Sequence, residues 1–90
     1  MATARVPTER ASRYLQQLCK HFGHKLPVTF DAGHGRAVFP FGECVLRAEG
    51  GLLAITATAA SEADLEQLKG VIARHLLRFA FREELRVAWN

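Results

Sequence analysis

Apolar positions along the chain follow two different periods. Ala11, Tyr14, Leu15, Leu18 and Phe22 recur at the three- and four-residue spacing of one helical face. This predicts a first helix over roughly residues 8–23, with Thr8 as N-cap, Glu9 in the first turn, and Gly23 and then Pro27 as stops. Ahead of it, "TARVPT" reads as extended, because Val6 precedes a proline. The period then drops to two. Leu26, Val28 and Phe30 share one face, then Ala37 and Phe39, then Cys44, Leu46 and Ala48, then Leu53, Ile55 and Ala57. The turns "DAGHG", "PFG" and "EGG" separate these runs, so the block reads as an antiparallel meander of four strands with one buried face.

Helical spacing returns with Leu65, Leu68, Ile72, Leu76 and Phe79. Ser61, with Asp64 three residues on, makes a capping-box variant, and the second helix is predicted over roughly residues 61–82. Leu85, Val87 and Trp89 alternate once more and suggest a final strand. The order β-α-β-β-β-β-α-β gives an α+β fold, a single domain over residues 1–90, with both helices on one face of a mostly antiparallel sheet. The first and last strands are expected to extend that sheet.

Composition narrows this little: 49% of residues are hydrophobic and 23% charged, which is ordinary for a folded domain. A chain this short buries only about 60–65% of its unfolded surface, so self-association through a sheet edge or helix face stays open. No run of about 18 apolar residues offers a membrane span, and "MATARVPTERAS" has no apolar core of a signal peptide. A cytoplasmic location follows as the expectation, with Cys19 and Cys44 as reduced, buried thiols. The net charge of +3 is regional. Residues 1–36 hold Arg5, Arg10, Arg13, Lys20, Lys25 and Arg36 against Glu9 and Asp31.

Four blocks, "TARVPT", "ASRYLQQLCKHFGHK", "DAGHGRAVF" and "HLLRFAFREEL", together resemble the bacterial family called domain of unknown function 2218, over nearly the whole chain. The resemblance implies a small α+β protein and supplies no catalytic residues to carry over. Some relatives are joined to, or encoded beside, siderophore-interacting flavin reductases. That implies an association with iron metabolism, although the flavin-binding part is missing here.

"CKHFGHK" places Cys19, His21 and His24 close in sequence, as a metal site would. On a regular helix, however, Cys19 and His21 point about 160° apart, and two histidines fall short of the three or four ligands that zinc requires. His21 and His24 therefore form the weaker candidate pair, suited also to a helix C-terminus, where positive charge is favourable. His75 falls inside the apolar arc of the second helix and Arg78 and Arg82 follow it on one side. His75 lies 14 residues from Ser61, about 21 Å along the axis, which predicts that it reaches the end bearing "DAGHG". A ligand site is thus expected from Asp31, His34, His75, Arg78 and Arg82. The structural alternative makes His75 a hydrogen-bonded core histidine and pairs both arginines with Glu83, Glu84 or Asp31.

"DAGHGR" lacks the phosphate-loop pattern and reads as a hairpin turn whose glycines supply positive φ. No Ser/His/Asp or Cys/His nucleophile set is readable, and nothing requires a cofactor. The outward face of the first helix carries Arg10, Arg13, Lys20 and His24, which could track phosphates, but Phe30 and Phe39 are expected to point inward, away from bases. Phe41 and Leu52 are candidates for an exposed patch that contacts a protein. The leading reading is a non-enzymatic binding or accessory module. Its alternatives are a metal- or anion-binding protein using the His34/His75/Arg78/Arg82 end and a weak nucleic-acid binder.

Overall fold

The computed structural model describes residues Met1–Asn90. Seven elements follow one another: β1 (Ala2–Pro7), α1 (Ala11–Phe22), β2 (Val28–Phe30), β3 (His34–Phe39), β4 (Gly42–Glu49), β5 (Leu52–Thr58) and α2 (Glu62–Phe79). The strands form one antiparallel sheet in the order β1-β5-β4-β3-β2. Both helices cover the same face, as the one-sided alternation predicts. Val6, Leu53, Ile55, Leu46, Cys44 and Ala37 line that face with no exposed surface, against Leu15, Leu18 and Cys19 of α1 and Leu68, Ile72 and Leu76 of α2. Neither helix is long and apolar enough to cross a membrane.

Because β1 and β2 occupy opposite edges, α1 has to carry the chain across the sheet, and it packs over β4, β3 and β2 while α2 takes β4 and β5. Gly35 allows the approach. A Cβ there would lie 2.6 Å from Cys19 Sγ and 3.4 Å from Leu15 Cδ2. "DAGHGR" does form the β2–β3 hairpin turn, but its glycines do not supply positive φ, and Gly35 already belongs to β3. Positive φ occurs only at Gly50 and Gly51, in the β4–β5 hairpin. The β2–β3 turn is shaped instead by Asp31, whose carboxylate accepts the backbone N–H groups of Gly33 and His34, each at 2.8 Å.

The ends of the elements also shift. Thr8 is buried and does not cap α1; Arg10 holds that position with no side-chain cap, while Thr8 Oγ1 accepts the Arg10 N–H at 3.1 Å. Ser61 does cap α2, accepting the Asp64 N–H at 3.1 Å. That helix stops at Phe79 rather than 82. The chain leaves it so that Glu83 can reach Thr8, Arg10 and Tyr14. Residues 85–89 form no strand. Leu85, Val87 and Trp89 are half-buried, but the backbone joins β1 only through an Ala4–Trp89 bridge and the Asn90 N–H bond to Thr3 O at 2.9 Å. Alternation recorded one-sided burial, which a segment can have without a hydrogen-bonded ladder. Phe30 is another departure. It faces α1 opposite Gly35, yet on the short edge strand it remains 39% exposed.

Candidate functional site

The expected cluster does not assemble. Asp31 and His34 sit in the β2–β3 turn, which lies at the start of α1, where Ser12 Oγ donates to Ala32 O at 2.6 Å. His75 lies at the other end of α1, its ring 4.7 Å from that of His21 and 5.3 Å from that of Phe22. α2 starts at the sheet end where Gly42 meets Leu68. The first turns of α2 run past the end of α1, so a residue well inside α2 meets α1's last turn. His75 thus joins His21, the weaker candidate.

Around this meeting point lies a pocket of about 600 Å³, walled by the end of α1, α2 and the β3–β4 turn. Its floor is aromatic. Phe41 touches Phe39 at 5.6 Å between centroids, Phe39 touches Phe22 at 5.1 Å, and Phe22 meets the His75 ring at 5.3 Å. Phe41, expected as part of a protein-contact patch, is half-buried in this wall instead. Leu52 is half-buried as well, and the strongly exposed apolar side chains are Met1 at 80% and Phe81 at 75%. Leu26, Pro40 and Val71 complete the apolar lining, and Gln67 provides the single amide.

Polar character comes mostly from imidazoles and one ammonium. His24 and Lys25, in the turn that follows α1, line the pocket together with His21 and His75, and no carboxylate does. His24 itself lies beyond Phe22, where the helix has ended. Arg74 and Arg78 border an adjoining hollow that shares His75. Burial lowers the His21 pKa, and the neighbouring His75, His24, Arg78 and Lys25 push it the same way. His75 Nδ1 lies 2.7 Å from Val71 O. A carbonyl only accepts, so Nδ1 carries the proton and, in the neutral ring, Nε2 keeps its lone pair. His75 is therefore hydrogen-bonded, as the structural alternative held, but it is half-buried at a pocket wall and not part of the core. The arginines do not follow that alternative. Glu83 is taken by Arg10 at 3.1 Å and Asp31 by its own turn, and neither Arg78 nor Arg82 forms an ion pair. Arg82 lies 5.4 Å from the centre of the Phe81 ring.

The remaining candidates have structural settings. No group of three or more His, Cys, Asp or Glu side chains is close enough to hold one metal ion. Cys19 and Cys44 are free and fully buried; burial pushes the Cys19 thiol up to about 11 and raises Cys44 as well, so neither is a ready nucleophile. Of the basic residues on α1, Arg10 is drawn to Glu83, while Arg13 and Lys20 stay exposed beside Gln16 and Gln17. Sequence reasoning missed Lys25, Phe39, Phe41 and Val71 as pocket residues. The available signal was that Lys25 and Phe41 flank a helix stop and a tight turn.

Comparison with known proteins agrees with the fold. A solved structure described as "NMR structure of PA4090 from Pseudomonas aeruginosa" is similar, with 36% identity and a TM-score of 0.83 over 99% of this chain and 93% of that one. No curated protein matches. The family model described as "Uncharacterized protein conserved in bacteria (DUF2218)" matches residues 3–90. With nearly every residue inside that match and the same fold in a relative, the chain belongs to the DUF2218 family of bacterial proteins.

Proposed function

We propose that this protein is a small-molecule binding module that takes a flat apolar compound into the pocket between α1, α2 and the β3–β4 turn. One observation carries the reading: a concavity of about 600 Å³ lined by the contiguous rings of Phe22, Phe39 and Phe41 together with a few polar side chains. Its size is that of ordinary ligand sites, and apolar surface with a few convergent polar groups is what such sites display. Catalysis is no part of the proposal, because no nucleophile is paired with a base and both thiols are buried.

Neutral 2-naphthol is the probe, followed by amide and aromatic chemical shifts. Saturable shifts confined to Phe39, Phe41, Val71 and His75, weakened by Phe41→Ala, are expected. Shifts that grow linearly without saturation, or that scatter over the surface, would remove the proposal. The association with iron metabolism implied by the family resemblance bears only on the ligand's identity. An aromatic chelator such as salicylate has the flatness of the pocket, and the same titration with salicylate, with and without ferric iron, tests it.

A further inference from the structure

We infer that the pocket's ligand is an anion, an apolar body bearing a carboxylate or a similar single negative charge, and that it binds together with a proton on the His21–His75 pair. The inference rests on the binding reading above and adds the ligand's charge and its coupling to pH.

The first argument is counter-charge. From α1 and the turn after it come His21, His24 and Lys25, and from α2 come Arg74, His75 and Arg78. The third wall, Phe39, Pro40 and Phe41, contributes no charge. No carboxylate lines the pocket or the adjoining hollow. Three standing cations, Lys25, Arg74 and Arg78, and three titratable imidazoles gathered with no acid among them, beside apolar surface that limits the local dielectric, leave an anion as the group that would complete them.

The second argument is tautomeric. His75 Nδ1–H is committed to Val71 O, so the neutral ring offers a carboxylate only a lone pair at Nε2. Protonation at Nε2 turns that acceptor into a donor. The neighbouring His21 ring, centred 4.7 Å away, cannot also become charged cheaply unless a negative group joins it. An anion and a proton therefore favour each other. Burial and then the charged neighbours lower the His21 pKa, and an anion in the pocket would offset the neighbours' part. By reciprocity, binding takes up a proton, and affinity rises as pH falls through the histidine range.

The test compares 2-naphthoate with 2-naphthol, which share a ring system and differ in charge. Calorimetry at equal pH in phosphate and in Tris reads the protons exchanged. Naphthoate is expected to bind at least about tenfold more tightly at pH 6 than at pH 8, approaching tenfold per pH unit where one proton is linked. It should take up close to one proton, while naphthol takes up none. In His75→Ala and His21→Ala the uptake and the pH dependence should fall, with amide shifts outside the pocket and the urea unfolding midpoint kept as the sign that the domain is still folded. If naphthoate and naphthol bind equally with the same flat pH profile, the inference is overturned and the binding module stands. Uptake that survives in both variants would also overturn it. If neither compound binds, both readings fall together.

Discussion

The two ends of α1 are both rich in cations and could hardly be more differently completed. At the N-terminal end, Arg10, Tyr14 and Thr8 converge on Glu83, which the chain delivers by leaving α2 three residues early. The Tyr14 hydroxyl and the Arg10 guanidinium hold the Glu83 carboxyl below the ordinary glutamate range, and burial together with Glu83 raises the Tyr14 phenol. At the C-terminal end, His21, His24 and Lys25 face Arg78 and His75, and no carboxylate is present. One end is a closed set of hydrogen bonds and charges that ties Glu83, just past α2, to the start of α1. The other is an open set beside an apolar hollow. Basic side chains thus serve cohesion where a counter-charge arrives and are left without one where none does. Asp31 supports the distinction, because its carboxylate is spent on the N–H groups of its own turn and is not offered to a cation-rich neighbour.

The largest expected effect comes from breaking what both ends share. Leu18 is fully buried between them, and Leu18→Ala should cost about 2–5 kcal/mol of stability in urea unfolding, with the closed and open ends losing structure in one transition. A smaller effect separates them. Tyr14→Phe removes a donor from an ionised acceptor and should cost about 1–2 kcal/mol near neutral pH, with naphthol binding unchanged. This loss has a definite pH dependence. A carboxyl held below its unfolded value stabilises the fold above that value and ceases to do so as pH falls through its folded value. The difference between the wild type and Tyr14→Phe should therefore shrink once pH drops below the ordinary glutamate range, as paired denaturation curves would show.

Placing a counter-charge at the open end should make it resemble the closed one. In Lys25→Glu, the His21 ring is expected to titrate at higher pH in a histidine-resolved NMR experiment, and naphthoate affinity should fall at least about tenfold, with stability changed by no more than about 0.5 kcal/mol. The smallest effect concerns the turn that belongs to neither end. Asp31→Ala frees the N–H groups of Gly33 and His34, so these two amides should exchange faster with solvent while the global unfolding midpoint barely moves.

Much of the fold was legible because burial leaves a period. The stripe from Tyr14 to Phe22, the alternations through Ala37, Leu46 and Ile55, and the Ser61 cap each depend on neighbours a few residues away, and each stands as read. Errors gathered where distant segments decide the outcome. Thr8 looked like a cap and is instead buried against residue 83, and Gly35 looked like a turn residue and is a close-packing position beneath Cys19. Trp89 looked like part of a strand and makes a single bridge.

The candidate site divides in the same way. That His21, His24 and His75 are titratable and Arg78 cationic belongs to the sequence alone, as does the class of fold. Which of them meet was decided by the tertiary structure. Periodicity specifies which face of a helix is buried, but it carries no information on how far one helix slides along another. That offset follows from the sheet order, from Gly35 drawing α1 onto β3, and from Leu68, Ile72 and Leu76 seating α2 on β4 and β5. It puts His75 beside His21 and leaves His34 at the opposite end of α1.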